Sequence, residues 1–191
     1  MERSSSAGEA GGFSRALATL EVAMMAVSAV AIAAIMIIVT LDASLRYVLS
    51  APLTWSYELI GLYLMVAVFF LALPDTLNHH GHIAVDIFQR SIPLRLRHLL
   101  LGIGYALSTW VMVLITWGAA QRLKTAFVQD ERIAALVAWP TWVAYLLVAV
   151  GSAAMVLRCL VRVHGHLLSA AIGREVVDMP PPPNEAGVEE I

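Results

Sequence analysis

Four long apolar runs, parted by short polar stretches, set the plan of the chain. The first, Val22–Leu41, holds 20 residues without a charge between Glu21 and Asp42. At about 1.5 Å per residue, a helix of that length crosses a hydrocarbon core about 30 Å thick. It exceeds the roughly 7 to 15 residues of a signal-peptide core, so it reads as a retained first helix. Ala26, Ala29 and Ala33 share one face of it and would let another helix approach closely. The second run, Leu59–Pro74, reaches only about 24 Å by itself. Its helix must therefore open earlier, near Pro52, whose missing N–H costs nothing in a first turn. Glu58 then lies in the opening turns, where a carboxylate needs a partner, an interfacial position, or both. Pro74-Asp75 is expected to end this helix. The third run is Leu99–Gln121, with Gly104 and Ser108 as a small-residue contact. The fourth is expected to open at Pro140, with Trp139 and Trp142 as interface anchors, and to run to about Leu157, with Arg158 and Arg162 marking its exit.

Between the second and third runs, a helical wheel of Gly81–Ser91 gathers His82, Asp86, Gln89 and Arg90 in one polar arc, with Ile83, Val85, Ile87 and Phe88 among the residues opposite. That is the pattern of a short helix lying in the interface plane. His82 and Asp86 are four residues apart and can hydrogen-bond along its face. Residues 1–14 and 167–191 lack apolar periodicity and read as flexible tails around a membrane domain at 15–166. The expected fold is an all-α membrane protein of four transmembrane helices, with an amphipathic interfacial helix between the second and third. Four crossings put both termini on one side. That side carries Arg3, Arg15, Arg90, Arg95, Arg97, Arg158, Arg162 and Arg174, against Arg46, Arg122, Lys124 and Arg132 on the other. The positive-inside bias therefore predicts cytoplasmic termini.

Composition agrees: 60% of the 191 residues are hydrophobic and only 14% charged, where a soluble domain carries about 25%. No basic stretch interleaved with aromatics occurs, so nucleic acid is not a partner. A single cysteine, Cys159, excludes an internal disulfide and reads as a small buried hydrophobe. Six histidines raise haem or metal as an alternative. Each lies at a helix end or in a loop, however, whereas a bis-histidine haem needs imidazoles inside facing helices, and zinc needs about four fixed ligands. No cofactor is expected. Inside the helices the ionisable residues away from the ends are weakly ionising (Tyr63, Tyr105, Tyr145 and Cys159). A pump or channel carries intramembrane charges or broken helices, so this chain is not expected to transport alone, nor to be an enzyme.

Arg46-Tyr47, then Pro52-Leu53 with Trp55 and Glu58, then His82-Ile83 with Val85-Asp86, and a last helix opening on Pro140 and Trp142, together resemble the small membrane subunit of tripartite ATP-independent periplasmic (TRAP) transporters, the DctQ-type small permease. The resemblance covers roughly Val22–Val163. It implies a multi-pass scaffold in a bacterial inner membrane that pairs with a large permease subunit. That partner would hold the sodium and substrate sites, while a periplasmic binding protein delivers an organic acid. The runner-up is a membrane anchor or cytochrome-like subunit of a redox complex. One departure from the family pattern is Tyr57, where the family often places the first of two adjacent acids. Arg46 and Glu58 flank the same short loop and are expected to form an ion pair.

Overall fold

The computed structural model describes residues 5–78, 94–135 and 137–172. Four helices account for nearly all of them: α1 Ser5–Leu49, α2 Ser56–Asn78, α3 Leu94–Val128 and α4 Trp142–Ile172. Each is long and apolar enough to cross a membrane. Among the described residues there is no strand, only an isolated bridge between Arg132 and Pro140. The amphipathic segment with His82 and Asp86 lies outside the described residues, as does the chain beyond Ile172.

The helices outrun the apolar stretches that define them. α1 has 45 residues and α3 has 35, or about 67 and 52 Å at the usual rise. α1 is already helical at Ser5, inside the segment expected to be an irregular tail, and α4 continues to Ile172 rather than stopping near Leu157. Once a helix is nucleated in the membrane, each added residue gains a hydrogen bond without a new nucleation cost, so the polar flanks are carried along.

α2 departs from expectation at both ends. Pro52 does not open it. Instead the Asp42 carboxylate accepts the Leu53 N–H at 2.7 Å, and the Ser56 hydroxyl donates to the Leu53 carbonyl at 2.7 Å, holding Pro52–Trp55 as a connection. The helix begins with Ser56–Leu59, passes through a π-helical stretch at Ile60–Leu64 and continues as Met65–Asn78. Pro74 lies inside it, buried, and the helix runs on to Asn78. Proline removes the N–H that would have bonded the Phe70 carbonyl. α4 comes closest at that point, because a Cβ built on Gly151 would overlap the carbonyl of Phe70. Glycine there admits the close approach.

The helices pack as a row in the order α1, α2, α4, α3, with α1 and α3 at the two edges. Met24 and Ala31 of α1 meet Ala67 and Leu71 of α2 and Ala154 of α4 in one cluster. Leu77, Met155 and Cys159 form a second, packed against Tyr105 and Met112 of α3. Two hydrogen bonds cross between helices at mid-depth: the Ser28 hydroxyl donates to the Val68 carbonyl at 3.0 Å, and Thr116 donates to Ser152 at 2.9 Å. A row leaves edges open. Ala26, Ala29 and Ala33 are exposed, and nothing lies within 4 Å of a Cβ built on Gly104. The small-residue faces anticipated on the first and third helices therefore contact no other described helix of this chain.

Candidate functional site

Charge is confined to the two ends of the row, and each end is built differently. At the end holding the C-terminus of α1, Asp42 organises the turn into α2. Besides the Leu53 amide it binds Arg46 through a 2.6 Å ion pair one helical turn on. The guanidinium of Arg46 also donates to the hydroxyl of Tyr57. Arg46 thus turns to Asp42 and Tyr57, and the expected pair with Glu58 does not form. The reason is reach and register: Asp42 is one turn away on the same helix face, and Tyr57 offers an acceptor from the start of α2. Tyr57 occupies the position at which the resemblance expects an acid, and here its phenol oxygen accepts from Arg46. Glu58 has one carboxylate oxygen, Oε2, buried with no hydrogen-bond partner among the described residues. Tyr47 is 87% exposed, and Trp55 is half-buried at the head of α2.

Pro140 and Trp142 stand at the same end. The Tyr63 hydroxyl donates to the Pro140 carbonyl at 2.5 Å, while Tyr63 and Trp139 meet edge to face at 5.8 Å. The connection 129–141 is closed by bonds from the Thr141 N–H and hydroxyl to the Glu131 carbonyl, at 3.0 and 3.1 Å. α4 itself begins at Trp142, two residues later than expected, because Pro140 is occupied in the bridge to Arg132. Trp142 packs edge-on to Phe127 of α3 at 5.7 Å.

The opposite end holds the residues that sequence reasoning passed over. Glu21 is fully buried and receives both Nε and an Nη of Arg158, itself 5% exposed, in a two-pronged pair that ties α1 to α4. Arg is suited to this because its planar fork matches the two carboxylate oxygens. Arg162, one turn on, donates to the carbonyl of Asn78 at the end of α2, at 2.9 Å. Arg158 and Arg162 are thus not free markers of a helix exit but buried clasps between helices. His98 and His166, expected at helix ends or in loops, instead lie within the facing helices α3 and α4, fully buried with their Nδ1 atoms 3.1 Å apart, and Tyr105 stacks on His166 at 5.3 Å. At that distance one Nδ1 donates its proton and the other accepts, so the two rings bind each other directly across α3 and α4. The signal for both contacts was parity. In a four-crossing chain, Glu21 before the first run and Arg158 after the last fall on one side, as do His98 and His166.

Chemically, the arrangement can tie helices together but offers no charged path between the ends. The clusters around Leu71 and Met155 separate them, and among the described residues no group of three or more His, Cys, Asp or Glu side chains is placed to hold a metal ion. Comparison with curated proteins gives no match. The family model described as "Tripartite ATP-independent periplasmic transporters, DctQ component" matches residues 35–168, which takes in the last third of α1, all of α2 and α3, and α4 through Leu168. The chain is therefore a multi-pass membrane protein that belongs to the DctQ family, the small component of TRAP transporters.

Proposed function

We propose that this chain is the non-catalytic scaffold subunit of a TRAP-type secondary transporter in a bacterial inner membrane. It pairs with a large permease subunit for sodium-driven uptake of an organic acid delivered by a periplasmic binding protein. The observation that carries this reading is the combination of a charge-free middle with unfilled small-residue faces on α1 and α3. A protein that moved an ion itself would need a polar path through its middle. A scaffold needs faces for a partner's helices. In this reading both termini are cytoplasmic, and the end with Arg46, Tyr47, Trp55, Glu58, Pro140 and Trp142 faces the periplasm. The segment with His82 and Asp86 lies along the inner lipid surface, and residues 15–166 form the membrane domain between two tails.

The test is reconstitution. Liposomes holding this chain alone under a sodium gradient should show no uptake of dicarboxylates, keto acids or sugar acids. Liposomes holding it with a co-purified large subunit and binding protein should show sodium-dependent uptake of one of them. Saturable uptake by this chain alone would overturn the scaffold reading. A haem absorbance band in the purified protein would favour the redox-anchor alternative instead.

A further inference from the structure

Two shallow apolar grooves meet beside α4 on one broad face of the row. The first has a volume of about 320 Å³ and lies between the end of α3 and the start of α4. Ala120, Leu123 and Phe127 wall it on one side, Trp142 and Leu146 on the other, and Lys124 also lines it. The second, of about 300 Å³, shares Leu146 and continues between α4, Leu71 of α2, and Met24 and Val27 of α1. From Trp142 to Val150 they follow α4 for about 12 Å. The upper end sits where interface anchors sit: Trp142 is the first residue of α4, and Lys124 lies four residues before the end of α3.

Among the described residues one charge at that upper end lacks a counter-ion. Arg132 pairs with Asp130 and Arg122 lies over the ring of Tyr145, whereas Lys124 is exposed and makes no ion pair among the described residues. A partner helix is the wrong shape for the slot. Close helix packing uses small residues, and the small-residue face of α1, Ala26 to Ala33, points away from its buried face of Met24, Ser28 and Ala31. The grooves are instead walled mostly by Leu, Met, Val, Phe and Trp, with one alanine in each, Ala120 and Ala23. That suits a flexible hydrocarbon chain whose anionic head meets an ammonium at the interface. We propose that this face holds one glycerophospholipid of the surrounding bilayer, with its phosphate diester against the Lys124 ammonium and an acyl chain along α4 past Leu146.

The full chain, purified in mild detergent and stripped of lipid, is titrated with phosphatidylglycerol and read by native mass spectrometry. One lipid per chain should bind the wild type ahead of any weaker additions. Lys124→Glu, at an exposed site, should weaken that first binding about tenfold or more at an unchanged melting midpoint. Ala120→Phe, which fills the groove, should abolish it, while Leu107→Phe on the opposite side of α3 should bind like the wild type. Unchanged binding by Lys124→Glu, or equal behaviour of Ala120→Phe and Leu107→Phe, would overturn the proposal. So would an Ala120→Phe chain that keeps its lipid but no longer co-purifies with a polytopic partner, since the groove would then be a protein interface.

Discussion

Glu21 and Arg158 stand 137 residues apart in sequence and meet with both charges buried. Pairs of this kind give little net stability over an apolar pair of the same shape, because desolvating two ions costs nearly what their attraction returns. Breaking one is another matter. Glu21→Ala or Arg158→Ala should each destabilise the chain by about 3 to 5 kcal/mol by stranding the other charge, read as the unfolding midpoint in mixed detergent and SDS micelles. The double substitution should cost clearly less than the sum of the two. Simple additivity would mean that the two do not depend on each other. At the other end the coupling should follow the observed contacts. Arg46→Ala and Asp42→Ala should be non-additive in purified yield, whereas Arg46→Ala and Glu58→Ala should add. The residue types at both ends were visible in the sequence as polar punctuation of apolar runs. Their partners were not, since a guanidinium reaches whichever acceptor the helix register brings near, and Asp42 lies one turn away on the same helix whereas Glu58 stands on the next.

The existence of four crossing helices was legible because length and lack of charge leave a chain in lipid no other way to satisfy its backbone. Their ends were not, because outside the hydrocarbon a helix stops where hydrogen-bonding alternatives appear rather than where hydrophobicity does. α2 shows this at Pro74. Proline removes one backbone bond, but a neighbour that packs on the freed carbonyl lets the helix continue. Gly151 of α4 is that neighbour, and only a residue without a side chain fits there. Gly151→Val should therefore push α4 off α2 and lower stability by about 1 to 3 kcal/mol, the usual cost of overpacking. The same substitution at Gly104, where a Cβ meets nothing within 4 Å, should change the unfolding midpoint of the isolated chain much less. Equal losses at the two sites would show that helix propensity, and not the Gly151–Phe70 contact, sets the cost.

At the scale of the whole molecule, a row of four helices differs from a closed bundle in having edges. α1 presents Ala26, Ala29 and Ala33 at one edge, and α3 presents Gly104 and Ser108 at the other; among the described residues Ser108 bonds only the carbonyl of Gly104 in its own helix, at 3.0 Å. In a bilayer these residues give up side-chain contact area that Leu or Ile would have made with lipid tails. What they offer instead is close backbone approach to another protein. In the proposed orientation four crossings put the outer ends of α1 and α4 on one side, and labelling checks it. Ala51→Cys should react with a membrane-impermeant maleimide on intact spheroplasts, and Leu168→Cys only after lysis; the reverse pattern would invert the topology. The edges themselves are checked by bulk. Ala29→Phe places a ring on the α1 edge, away from the buried face of that helix, so the isolated chain should unfold at the wild-type midpoint. In cells that also produce the large permease subunit, the amount of that subunit captured with a tagged chain should fall severalfold, and uptake should fall with it. Gly104→Val makes the same test of the α3 edge. Loss at one edge and not the other identifies the side on which the partner docks, and undiminished capture by both variants would mean that lipid, not the permease, covers the two edges.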